Sequence, residues 1–158
     1  MRITLRHATL AAMLCAGLCA AESQTAGNAA TISDAPSIQR MDHVGINVTD
    51  LQRSADWYEK VLGFTIFHKW KTTWMISRAD MHIGLFLRPS AKKIDDLDNT
   101  LAITHFAYAT DAKGFQEAQD KLKKLGVKFD PPEDTGVAYS LFIYDPDGYQ
   151  IEITNYHQ

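Results

Sequence analysis

The chain carries one short pattern twice. Met41-Asp42-His43-Val44-Gly45-Ile46-Asn47-Val48-Thr49-Asp50 is matched by Ile103-Thr104-His105-Phe106-Ala107-Tyr108-Ala109-Thr110-Asp111. In each, a His near the start is followed by alternating residues, then Thr-Asp, then apolar residues at helical spacing that run to Leu62-Gly63 or Leu125-Gly126. Two copies of one supersecondary unit should place two His side chains at matching positions of the fold.

Each copy reads as a strand that opens a helix. Val44, Ile46 and Val48 share one face, and His43, Gly45 and Asn47 the other, the period of a half-buried strand. Asp50 is a good N-cap, Leu51, Ala55, Tyr58 and Leu62 follow at helical spacing, and Gly63 stops the helix. Short strands are predicted over residues 64–68, 73–77 and 81–87. A polar stretch over 89–100 joins the units. The second unit is predicted as a strand over 103–109, a helix from Asp111 to Leu125, and strands over 127–129, 137–144 and 150–155. Residues 131–136 read as a loop, and Asp145-Pro146-Asp147-Gly148 has strong turn chemistry. The fold class is α+β: two modules of strand, helix and three strands, with eight strands curving around a cleft.

The N-terminus is a different material. Arg2 and Arg6 precede an apolar run over 8–18, and Cys19-Ala20-Ala21 supplies small residues. This is the pattern of a signal peptide over 1–21, with an apolar run too short to span a bilayer. Residues 22–38 read as a flexible linker, and 39–158 as the folded domain. The expectation is a periplasmic or secreted protein with no membrane contact after cleavage. Cys15 and Cys19, the two cysteines, both lie in the leader, so the mature chain has no disulfide and no thiolate ligand. A net charge of -3, without a basic run interleaved with aromatics, gives no reason to expect nucleic acid.

The chemistry is expected on the strand faces turned away from the helices. These carry His43, Gly45 and Asn47 on the first strand and His105, Ala107 and Ala109 on the matching one. If Ile151 and Ile153 face the helices, Gln150, Glu152 and Thr154 join that face. Two imidazoles and one carboxylate form a metal set that leaves positions free for substrate or water. His43, His105 and Glu152 are therefore the candidate metal ligands. Trp70, Trp74 and Phe86 are candidates for an apolar substrate pocket, and Arg88 for an anionic group. No residue is singled out as general acid or base.

The chain resembles the vicinal oxygen chelate superfamily, which includes glyoxalase I, extradiol dioxygenases, fosfomycin-resistance thiol transferases and bleomycin-resistance proteins. The matching stretches are Met41–Val44, Trp57–Phe64, Thr104–Ala107 and Asp145–Glu152. The resemblance implies paired βαβββ modules around a metal cleft. It carries the ligand role onto His43, His105 and Glu152, with one divalent ion (Fe, Mn, Zn or Ni) that chelates two neighbouring oxygens of a small-molecule substrate. It also implies a homodimer in which the first module of one chain can complete the cleft with the second module of the other. One departure bears on activity. Glyoxalase I-like enzymes use a further Glu on the last strand of the first module, and Met81–Leu87 has no carboxylate there. A ring-opening dioxygenase is the expectation on that ground. A glyoxalase-type lyase or isomerase, a thiol transferase, and a non-catalytic small-molecule binder are the alternatives.

Overall fold

A computed structural model of the chain describes residues 38–97 and 99–157. The expected leader over 1–21, and the linker over 22–38 except its last residue, lie outside the described residues.

Each module builds a four-stranded mixed sheet. The first holds β1 (Val44–Val48), β2 (Thr65–Lys69), β3 (Thr73–Arg78) and β4 (Met81–Leu87), in the order β1-β4-β3-β2. The second holds β5 (His105–Ala109), β6 (Glu133–Asp134), β7 (Ala138–Tyr144) and β8 (Gln150–Tyr156), in the order β5-β8-β7-β6. In both, the first strand lies parallel to the last: Val44 pairs with Ile83, and His105 with Gln150. The shared topology is what the repeated sequence pattern anticipates.

The helices form where capping and spacing place them. Helix α1 (Leu51–Trp57) is capped by Asp50, whose carboxylate accepts from the Arg53 N–H at 3.0 Å. Helix α2 (Ala112–Leu125) is capped by Asp111, which accepts from the Gly114 N–H at 2.7 Å. Gly63 and Gly126 end the two helical segments with φ of 74° and 70°, a left-handed conformation open to glycine without steric cost.

Two details differ from the expectation. Helix α1 does not run regularly to Leu62; Tyr58–Leu62 form a π-helical turn, which periodicity alone does not reveal. The short strand expected over 127–129 is absent, and the sixth strand lies at Glu133–Asp134, paired with Ser140 and Tyr139. Val127 and Phe129 pack against the core instead. Their apolar alternation marks burial, not ladder pairing.

One core serves both modules. Ile46, Val48, Tyr58, Phe64 and Leu85 from the first are buried together with Leu122, Leu141, Ile143 and Ile151 from the second. An aromatic contact crosses the junction: Phe64 of the first module meets Tyr108 of the second at 5.8 Å, and Phe64 is itself met edge to face by Tyr58 at 6.0 Å. The helix-side faces of both sheets are thus buried, with the helices, in one core. The opposite faces, with Gly45 and Asn47 on one sheet and His105, Ala107 and Ala109 on the other, are exposed.

A polar latch closes the junction. The turn at 145–148 reaches from the second module onto the start of α1. One Asp147 oxygen accepts from the Thr49 hydroxyl at 2.7 Å and from Arg53 Nη2 at 2.6 Å, and the other from the buried Ser54 hydroxyl at 3.1 Å. Tyr149 Oη accepts from the Asn47 N–H at 3.1 Å. Burial pushes the Asp147 carboxyl up, but the bonds from Arg53, Thr49 and Ser54 outweigh it and hold the group below the ordinary carboxylate range. A carboxyl lowered on folding contributes stability that is present above its unfolded pKa, about 4, and is lost as pH falls through the folded value. We therefore expect the wild type to lose more stability than Asp147→Asn on acidification below about pH 4, read from urea midpoints. Parallel curves would remove Asp147 from the acid response.

Candidate functional site

Strand register sets the open face of the second module. Ala107 pairs with Glu152 and Phe142 with Glu152 on either side of β8, so the Glu152 side chain shares a face with those of His105 and Ser140. His105 Nε2 lies 3.1 Å from Glu152 Oε2. The imidazole edge also packs at 85° against the Phe142 ring, 5.8 Å between centroids. The Thr104 hydroxyl stands 3.1 Å from His105 Nδ1. A hydroxyl both donates and accepts, so Thr104 suits either tautomer of the ring. Glu152 is 14 % exposed, and its second oxygen accepts from the Ser140 hydroxyl.

The first module offers a different setting. His43 immediately precedes β1, and its Nδ1 lies 2.8 Å from Asp42 Oδ2. An ionised carboxylate only accepts, so Nδ1 carries a proton, and in the neutral ring Nε2 keeps its lone pair. That is the carboxylate–histidine arrangement that orients a metal-binding imidazole. The same bond holds the Asp42 carboxyl below its usual range. His82, on the same open face, has Nδ1 3.0 Å from the Asp42 carbonyl oxygen. The carbonyl fixes its tautomer in the same way.

His105 and Glu152 are therefore together, and His43 is not with them. Among the described residues, no three His, Cys, Asp or Glu side chains lie close enough to hold an ion. The physical reason is the shared core: both sheets bury their helix-side faces in it together with the helices, so their open faces are left exposed. The donor chemistry still fits a divalent ion. Two donors each about 2.1 Å from one ion stand about 3.0–3.4 Å apart, and the His105–Glu152 pair is separated by 3.1 Å.

The expected substrate residues divide. Phe86 lies on the open face of the first sheet. Its ring covers Gly45 and Gly84, where an added Cβ would come within 2.9 Å of it. Arg88 is exposed and, with Asn47, Pro89, Ser90 and Ala91, lines a cavity of about 440 Å³. Trp70 is 55 % exposed in the turn after β2, its ring 4.0 Å from that of His68. Trp74 pairs with the buried Leu85 and packs against the core, with Lys69 Nζ 3.7 Å over its ring. The period-two pattern of β3 puts it on the helix side, away from the face where a substrate would sit.

Sequence reasoning missed Ser140, Thr104 and the Asp42–His43 bond as parts of the site. The adjacency of Asp42 to His43 was the available signal. Ser140 had none, because its role depends on the β7–β8 register.

Residues 40–153 match the model of the Glyoxalase/Bleomycin resistance protein/Dioxygenase superfamily. The chain belongs to that superfamily. It is similar to a glutathione transferase FosA from Serratia marcescens, 24% identical over 116 residues that cover 73% of this chain and 80% of the relative. It is also similar to a lactoylglutathione lyase from Escherichia coli O157:H7, 27% identical over 124 residues that cover 72% and 90%. Among solved structures, a glyoxalase family protein from Enterococcus faecalis superposes with a TM-score of 0.67 at 19% identity, covering 75% of this chain and 98% of that one.

Proposed function

We propose that this protein is a metal-dependent enzyme acting on a small oxygenated substrate, of the thiol-adduct lyase or thiol transferase kind, and that it works as a homodimer. In this reading His43 of one protomer joins His105 and Glu152 of its partner on one divalent ion. The observation that carries it is the His105–Glu152 pair, 3.1 Å apart on an exposed sheet face, with His43 exposed at the start of β1 and its Nδ1 held by Asp42. Two outward faces, each holding part of a donor set, become one site when two chains pair them about a two-fold axis.

A bound ion would supply Lewis-acid polarisation of substrate oxygens. The chain's own residues would do the rest. Asp42 holds His43 with its Nε2 lone pair free. Ser140 holds one oxygen of Glu152. Phe86 gives an apolar floor over Gly45 and Gly84 that keeps water from that part of the face. Arg88, beside Asn47, presents a cation to an anionic group of the substrate.

Ring-opening oxygenation was the preferred expectation from the sequence. The names of the relatives, a glutathione transferase and a lactoylglutathione lyase, favour thiol chemistry instead. The signal-like residues 1–21 support export to the periplasm or beyond.

Elemental analysis of the full chain purified anaerobically, beside Glu152→Ala, tests the site. About one equivalent of divalent metal per chain is expected in the wild type and little in the variant, since loss of even an outer-shell partner costs about 10- to 100-fold in affinity. Glutathione consumption with small epoxide or dicarbonyl co-substrates then tests the reaction. Equal metal content in both proteins would sink the assignment of Glu152.

A further inference from the structure

We infer that Ser140 is a positioning residue that holds Glu152 to single-oxygen ligation, within a polarised chain running from Thr154 through Ser140 to the carboxylate. The inference rests on the reading of Glu152 as a metal donor.

Ser140 sits on β7 opposite Thr154, two pairs along from Phe142 and Glu152 and so on the same face. It is 1% exposed, flanked on its strand by Leu141, Phe142 and Ile143. A hydroxyl buried in such a strand is costly unless it is hydrogen-bonded. Here it is bonded twice, to Glu152 Oε1 and to Thr154 Oγ1, the latter at 3.2 Å. Thr154 is buried as well, with its hydroxyl 3.4 Å from the Tyr139 carbonyl oxygen.

A hydroxyl has one proton. The Glu152 carboxylate can only accept, so the Ser140 proton goes to Oε1. The contact between the two hydroxyls then stands only if Thr154 turns its single proton to Ser140, at 3.2 Å, rather than to the Tyr139 carbonyl oxygen, at 3.4 Å. Each donor strengthens the next bond in such a chain. The result is a carboxylate with one oxygen engaged and turned inward. The other, Oε2, is left facing His105 Nε2 at 3.1 Å. Glu152 is thereby set to offer one oxygen to an ion rather than two. Together with one His from the same chain, this keeps further positions open for a chelating substrate.

Co²⁺ titration of the full chain, followed by its visible absorption, tests this. Ser140→Ala is expected to lower Co²⁺ affinity about 10- to 100-fold and to change the band shape, because the freed oxygen can join the ion and raise its coordination number. Thr154→Val, which keeps Ser140, should lower affinity less, and Ser140→Thr should restore both affinity and spectrum. A purely structural role for Ser140 would lower thermal stability and leave the affinity and spectrum of the folded protein unchanged. Ser140→Ala that binds Co²⁺ with wild-type affinity and spectrum would overturn the inference and leave the metal site standing. A wild type that binds no Co²⁺ would overturn the site itself. Should Ser140→Ala fail to fold, Thr154→Val gives the same decision: unchanged affinity and spectrum there would overturn the polarised chain.

Discussion

Chains carrying His43→Ala and chains carrying Glu152→Ala should each hold little metal alone, and should recover about a quarter of the wild-type sites when reassociated together. The fraction follows from the geometry of the proposed dimer. Within one chain, His43 lies on the outward face of one sheet and Glu152 on that of the other, and no three donors gather among the described residues. If a site takes His43 from one protomer and His105 and Glu152 from its partner, random pairing makes about half of the dimers mixed. Each mixed dimer has one site with both substitutions and one with neither. Co²⁺ absorbance per chain, measured before and after joint refolding, reads the result directly. Recovery cannot come from either parent, because each places a substitution in both of its sites. No recovery in a verified mixed dimer would mean that the three side chains serve one chain only, or serve no common ion.

Tyr58→Ala is expected to cost about 3–5 kcal/mol, the range for removing a large aromatic from a core. Against a total of about 5–15 kcal/mol for a domain, that brings unfolding within reach of ordinary temperatures. Tyr58 is fully buried in the π-helical turn after α1. Its ring packs edge to face on Trp57 at 5.1 Å and on Phe64 at 6.0 Å. Its hydroxyl donates to Asp145 Oδ2 at 3.2 Å, so it also ties the first module to the turn of the second. Burial pushes the phenol far above its usual range, and the group stays a donor throughout the stable pH range. Burial likewise raises the Asp145 carboxyl, against bonds from the Tyr149, Gly148 and Asp147 N–H groups and from Tyr58. Tyr58→Phe separates the two contributions, with an expected loss of about 0.5–3 kcal/mol for the hydrogen bond alone. Urea midpoints of the three proteins check this. An alanine variant no weaker than the phenylalanine variant would show that burial of the ring adds nothing to stability.

Much of the architecture was legible because it is locally encoded. Asp50 and Asp111 cap helices with bonds that reach only three residues along the chain. Gly63 and Gly126 end helical segments because their own backbone turns left-handed. Alternation placed Ile46 and Val48 inward and Gly45 and Asn47 outward. The metal-donor candidates His105 and Glu152 were legible for the same reason, since each faces the side its strand period dictates.

What was hidden depends on partners far away in sequence. Trp74 looked available for a ligand until pairing with Leu85 put it on the core side. Asp147 read as turn chemistry, yet its carboxylate is the latch for Thr49, Arg53 and Ser54. Ser140 carries no local signal and gains its role only when β7 and β8 are in register.

The sequence by itself determined two like modules, their caps and their strand faces, because period, capping and turn chemistry are properties of neighbouring residues. Only the tertiary structure decided how the modules meet. Packing both sheets onto one core through their helix-side faces turns His43 and the His105–Glu152 pair outward on separate surfaces. Burial of the apolar faces is the dominant force in that choice, and it is indifferent to where the donors end up.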